Sequence, residues 1–338
     1  MKTAISHTGL VMRVQRVTFN RTVSVLAMLI LLALIIATLS VCFGSSNIPL
    51  SQLFNDSDDT RVVHDVLLNL RLPRTAAAFA VGGLLGLAGA LMQVLLRNPL
   101  AEPYILGTSG GASVGAMLTM LLSGPGAWVS LGAGAGSLSA IAIVFTLARG
   151  DGSWTQARLL LTGVAVAAFC SAITSLLLSL APDGILRGMV FWLLGDLSSA
   201  DWRQASVVLF IAVCGLIPFA RDLNVFALGP QQAYGLGVNV PLVRAVIYVM
   251  IAITASVAVT TAGMIGFVGL LVPHSLRLIL GNDQRLLLPA TALGGGTLLM
   301  FADLLSRTLI APQQLPVGVI TAVFGAPFFL ILLNRRAR

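Results

Sequence analysis

Arg71, Arg74 and Arg307 stand out in a chain with only 9% charged residues. A guanidinium keeps its charge at any physiological pH, and its planar fork pairs bidentately with carboxylates. Arg71 and Arg74 frame an Arg-Leu-Pro-Arg sequence directly before an apolar run, and Arg307 lies near the end of another. Cations so placed suit an acidic partner surface, or act as anchors that snorkel to a membrane boundary. Asp303 stands four residues before Arg307, in register for a pair on one helix face. A second group lies within 223–240: Phe226, Leu228, Gly229, Pro230, Ala233, Tyr234, Leu236 and Gly237. Pro230 suits the first turn of a helix, and Gly235 and Gly237 suit its end. A helix of two turns or fewer is marginal in water, so it must pack against something.

Several chemistries are excluded. A phosphate-binding P-loop needs a lysine after its glycine-rich turn, and the only lysine here is Lys2. The chain is therefore not a Walker-type ATPase. Cys42, Cys170 and Cys214 lack metal-ligand spacing and read as packing residues. Among twelve acidic residues, only Asp303 falls clearly within an apolar span. That is too little for a proton relay, and no His/Asp/Glu cluster points to an intramembrane enzyme. Pro273 interrupts another span and frees a backbone carbonyl, for which His274 is a candidate donor.

The elements that position these residues must be membrane helices. Hydrophobic residues make up 57% of the 338, far beyond a soluble domain. Hydropathy predicts ten spans, at 22–43, 76–96, 104–123, 128–147, 158–180, 202–220, 242–262, 264–281, 287–309 and 315–333. Each is expected to cross the bilayer, and those at 104–123 and 264–281 are diluted by Gly and Pro. The fold class is an all-α polytopic membrane protein: residues 1–21 an N-terminal segment, 22–333 a ten-helix bundle, 334–338 a tail. An even count puts both termini on one side. Placing that side in the cytoplasm leaves only Arg61, Arg71, Arg74, Arg187, Arg203 and Arg307 outside, out of 20 Lys and Arg. That is the positive-inside bias. It assigns the net +8 to topology and membrane lipid, not to nucleic acid. The 34 glycines point to close helix contact. Gly86-x-x-Gly89 and Gly266-x-x-Gly269 look alike, which chance or shared packing chemistry explains equally.

Five stretches carry a resemblance to a known family. They are Arg71-Leu-Pro-Arg74, Asn98-Pro-Leu-Ala-Glu-Pro103, Gly107-Thr-Ser-Gly-Gly-Ala-Ser-Val114, Gly266 to Arg277, and Gln314 to Phe329. In this order they closely resemble the transmembrane permease subunits of iron-siderophore, haem and cobalamin ABC importers of type II. The resemblance covers about 71–116, 187–198, 223–244 and 264–333. It implies a permease dimer, of identical or paralogous chains, in the bacterial inner membrane. Two ATP-binding cassette subunits would bind inside and use the ATP, and a periplasmic binding protein would deliver a metal chelate outside. Arg71, Arg74 and Arg307 match the positions that dock the binding protein. Residues 223–240 match the cytoplasmic coupling loop, with Gln231 and Gln232 where relatives often carry an acid. A short helix at about 187–198 matches a wall of the translocation path, and places Phe191 and Trp192 there. The metal travels with the cargo, so the resemblance implies no metal ligands and no cofactor on this chain. The competing class is an ion-coupled secondary transporter.

Overall fold

A computed structural model describes residues 19–45, 63–123, 126–149, 156–198 and 200–336. The N-terminal segment to residue 18, most of the acidic stretch 46–62 and the last two residues lie outside them. The described chain is all helix and connection. In order the helices are α1 (Phe19–Cys42), α2 (Leu72–Leu95), α3 (Thr108–Ser123), α4 (Ala127–Ala148), α5 (Gln156–Leu180), α6 (Asp183–Leu194) and α7 (Trp202–Leu216). Then come α8 (Ala220–Ala227), α9 (Pro230–Gly235), α10 (Val240–Ala262), α11 (Val268–Leu280), α12 (Gln284–Thr308) and α13 (Val317–Arg336).

Helix α2 is the centre of the bundle. Its sequence is apolar all round, which suits a helix with neighbours on every side. From Ala77 to Leu95 only Phe79 escapes full burial. A π-helical turn, Val66–Arg71, runs straight into it. Three glycines let other backbones touch it. A methyl group at Gly82 or Gly86 would strike the carbonyls of Gly295 and Thr291 on α12, and one at Gly89 would strike that of Gly269 on α11. Lipid supplies little hydrophobic drive between helices, so such approach gains dispersion that side chains would block. Gly86-x-x-Gly89 and Gly266-x-x-Gly269, alike in sequence, thus meet in space. A second seam of the same kind joins α3 to α4, through Gly111 against Gly136 and Gly115 against Gly132.

A helix stands at each of the ten predicted spans, but the expectation that each is long enough to cross requires correction. Six helices among the described residues have the length and apolarity to do so, and α7 with α8 makes a seventh, bent by 70°. Helix α3 starts at Thr108, because Pro103–Leu106 forms a 3-10 turn and Gly107 is left-handed at φ 75°. Helix α11 has 13 residues, about 20 Å of rise. Residues 263–267 before it leave the helical path, with Gly263 at φ 69°. The apolar part of α13 is 16 residues, Val317–Leu332, and the helix runs on through the predicted tail to Arg336. Two other boundaries move. The short helix expected at 187–198 is Asp183–Leu194, ending at Gly195 with φ 80°. The stretch 223–240 contains not one short helix but the end of α8 and all of α9.

The packing around α2 predicts that Gly89→Leu will destabilise the fold by about 1–3 kcal/mol, the usual cost of overpacking. Gly134→Ala is the control, because its new methyl would meet only Thr260 Cγ2 at 3.5 Å. Thermal unfolding in detergent should separate the two by a clear drop in melting temperature for Gly89→Leu alone.

Candidate functional site

Two of the three arginines singled out by sequence meet on a single carboxylate, and Arg71 joins them through the end of α1. Arg74 Nη2 lies 2.8 Å from Asp303 Oδ1, and Arg307 Nε lies 2.9 Å from Asp303 Oδ2. Asp303 is completely buried. Its pair with Arg307 is the i,i+4 contact that the spacing allows, while the pair with Arg74 joins α12 to α2. The remaining donors tie in α1. Arg307 Nη2 donates to Ser40 O at 3.1 Å and to Ser40 Oγ at 2.6 Å. Arg71 Nη1 donates to Val41 O at 3.1 Å and to Cys42 O at 2.6 Å. These carbonyls belong to the last turn of α1, where unsatisfied C=O groups favour a cation. Ser40 Oγ and Thr75 Oγ1 are 2.9 Å apart and close the network.

The arginines are therefore not three equivalent exposed forks. Arg71 and Arg307 are only 5% and 3% exposed, and their donors face α1 and Asp303. Arg74 lies nearer the surface and also donates from Nη1 to Gln314 Oε1 at 2.7 Å. Sequence reasoning found Asp303 as a partner for Arg307, but Ser40 carries no signal in the sequence.

At the opposite end, α8 and α9 form an elbow with two faces. Phe226 and Ala233 are buried at 2% and 0% exposure, so both belong to the packed side of the elbow and not to its accessible surface. Pro230 occupies the first turn of α9, as expected, and Gly229 and Gly237 flank it at φ 128° and 80°. Asn224 secures the elbow to the start of α12, donating from Nδ2 to Asp283 Oδ1 at 2.8 Å and accepting from Gln284 N at 2.7 Å. Leu228, Tyr234 and Leu236 point away, 60%, 62% and 66% exposed. Large apolar side chains presented together at a helix elbow form a patch that suits a protein partner.

Between these ends, irregular backbone is satisfied by neighbours, as it must be at membrane depth. Asp196 N donates to Ala262 O at 2.9 Å, and Val317 N donates to Gly195 O at 3.0 Å. These bonds join the ends of α6 and α10 to the start of α13. The stretch 263–267 is held from the other side by the Asn-Pro-Leu-Ala-Glu-Pro break. Phe267 N donates to Glu102 Oε1 at 3.0 Å, and Ile265 N donates to Tyr104 Oη at 3.3 Å. Phe267 takes φ 69°, a strained value for a side-chain-bearing residue. Neither Glu102 nor Tyr104 was singled out from sequence, though an acid inside the proline-flanked break was a signal. Phe191 and Trp192 lie on α6, both partly buried. Trp192 packs on a core cluster with Met117 and Met189, and Arg187 sits 5.6 Å over the Phe191 ring.

The family model described as the FecCD transport family matches residues 30–335. The hemin transport system permease protein HmuU of Yersinia pestis is 41% identical over 320 residues, covering 92% of this chain and 95% of the relative. The vitamin B12 import system permease protein BtuC of the same organism is 39% identical over 339 residues, covering 99% and 98%. Among solved structures, an inward-facing conformation of a metal-chelate type ABC transporter superposes with a TM-score of 0.80. It is 29% identical and covers 93% of this chain and 99% of that one.

Removing the carboxylate at the arginine cluster should be costly, because Arg307 and the mostly buried Arg74 lose the one acid that pairs with them among the described residues. Asp303→Asn is expected to destabilise the protein by about 3–5 kcal/mol. An unchanged melting temperature would show that solvent or another group already screens these charges.

Proposed function

Since the chain belongs to the FecCD transport family, we propose that it is the permease subunit of an ATP-driven importer for a metal chelate. Two copies, or this chain and a paralogue, form the pathway across the bacterial inner membrane. The elbow of α8 and α9 faces the cytoplasm and seats a separate ATPase chain, and the arginine end faces a periplasmic binding protein. The observation that carries this reading is the exposed triad Leu228, Tyr234 and Leu236, on and beside a short helix whose other side, at Ala233, is buried. An element so built transmits a push as a rigid body. It is a transport component and not an enzyme: ATP is hydrolysed by the partner, which the lack of a P-loop lysine requires.

The arginine end suits docking through Arg74, whose fork is the most accessible of the three. Arg71 and Arg307 hold the surrounding helices in place and add positive charge behind it. Among the described residues the cluster sets three cations beside one buried carboxylate, which favours an acidic partner. Phe191 and Trp192, on the helix that joins α5 to the Gly195 junction, are assigned to the wall of the path. The cargo is an iron chelate, a ferric siderophore or haem, or the related cobalamin. The 41% and 39% identities to a hemin and a vitamin B12 permease lie too close to choose between them. Ion-coupled transport fits less well, because the one acid within an apolar span, Asp303, is already paired with two arginines and lies near the end of α12.

Two tests address this reading. Tyr234→Glu with Leu236→Glu should abolish copurification with the ATPase while leaving the melting temperature unchanged, whereas Ala233→Glu should unfold the elbow. Persistent ATPase binding by the double variant would refute the docking role. In liposomes holding permease and ATPase, one loaded binding protein among haem, ferric siderophore and cobalamin forms should stimulate ATP hydrolysis. Arg74→Gln should lower that stimulation by roughly tenfold at a matched melting temperature, which separates a docking role from the pairing of Arg74 with Asp303. Uptake driven by a pH gradient without ATP would overturn the assignment.

A further inference from the structure

Beside the elbow lies a cavity of about 320 Å³ that the importer reading does not use. Arg97, Arg244 and Gln156 line one part of it, and Leu96, Phe226 and Tyr248 another. No acidic residue is among the described residues that line it. Each polar contributor comes from a helix end: Arg97 just past α2, Gln156 at the first residue of α5, Arg244 in the first turns of α10. Ends of membrane helices sit at the level of lipid headgroups. The cavity thus combines two guanidinium forks, which match phosphate oxygens, with an apolar wall at that depth.

Arg97 is held there against its backbone preference. Its φ is 47°, one of only two positive values at non-glycine positions among the described residues. The guanidinium reaches the turn that launches α9: a methyl group at Gly229 would come within 3.2 Å of Arg97 Nη1. Gln156 is fixed from behind, donating from Nε2 to Leu95 O at 3.5 Å. Tyr248, also in the lining, makes a tilted ring contact with Phe145, with centroids 4.1 Å apart. Leu161 and Leu242, on the same helices as Gln156 and Arg244, are apolar side chains 69% and 50% exposed.

We infer that this cavity binds the phosphate of an anionic phospholipid between Arg97 and Arg244, with the acyl chains along the adjoining apolar surface. The bound headgroup braces the Gly229 turn, and so stiffens the elbow. The site requires only that the chain be a membrane protein, so it stands or falls separately from the choice of cargo or motor.

Native mass spectrometry of the purified full chain tests it, with phosphatidylglycerol and phosphatidylcholine as probes and inorganic phosphate as competitor. The wild type is expected to retain phosphatidylglycerol in preference to phosphatidylcholine, with phosphate unable to displace it. Arg97→Gln with Arg244→Gln should lower that retention about tenfold, and Arg97→Lys with Arg244→Lys should restore part of it, since lysine keeps the charge but not the fork. Equal retention by the double Gln variant, at a matched melting temperature, would overturn the site. Displacement of the lipid by millimolar inorganic phosphate would overturn the lipid as its ligand. Should the double Gln variant fail to fold, the single Arg97→Gln variant reads the same ratio, because Arg97 is an exposed residue past the helix end.

Discussion

Helix α2 can be surrounded only because so little of its surface projects. Alanines and glycines from Ala77 to Ala90 let α11 and α12 approach until backbone meets backbone. In lipid that closeness replaces the hydrophobic drive a soluble core would have. Every other feature inherits its position from this contact. Arg74 meets Asp303 because α2 and α12 are locked in register by Gly82 against Gly295 and Gly86 against Thr291. Gly89 against Gly269 likewise sets α11 beside α2, where Gln93 Nε2 reaches Leu270 O at 3.2 Å.

The polar groups sit at the two ends and at one break between them, and each solves a backbone problem as well as a functional one. Arg71 and Arg307 satisfy carbonyls at the end of α1. Glu102 and Tyr104 satisfy N–H groups of the stretch before α11. The same physics that makes an unpaired polar group expensive in a membrane makes these residues good joints. A motion of the elbow would reach the bundle through α8 and through Asn224, which grips the start of α12. Helix α12 carries Asp303 at its other end, so one rigid element links the two proposed docking surfaces.

Much of this architecture was legible in the residues themselves. Long apolar runs with few charges read directly as helices, because no other backbone is satisfied in lipid. Pro230 and the glycines around it marked the short helix of the elbow correctly. The misplaced boundaries share one cause: hydropathy does not distinguish apolar helix from apolar irregular backbone. Residues 104–107 and 263–267 are apolar yet not α-helical, since Gly107 and Gly263 take left-handed conformations and neighbouring groups supply the missing hydrogen bonds. The helix Asp183–Leu194 begins four residues before the 187–198 that the resemblance implied, with Pro182 as its N-cap.

By itself, the sequence determined that the chain is a helical membrane protein without a P-loop lysine, and which residues carry charge at its boundaries. Those properties are local: hydropathy, residue type and spacing along one strand of chain suffice. Only the tertiary structure decided how the candidates divide. Phe226 and Ala233 turn inward while Leu228, Tyr234 and Leu236 turn outward. Arg71 and Arg307 become joints while Arg74 stays near the surface, and Arg97 comes to face a cavity with Arg244. These outcomes depend on residues as far apart along the chain as Arg74 and Asp303, which pair, or Arg97 and Arg244, which line one cavity. Such pairings are set by which helices can approach closely, and no pattern along the chain encodes them.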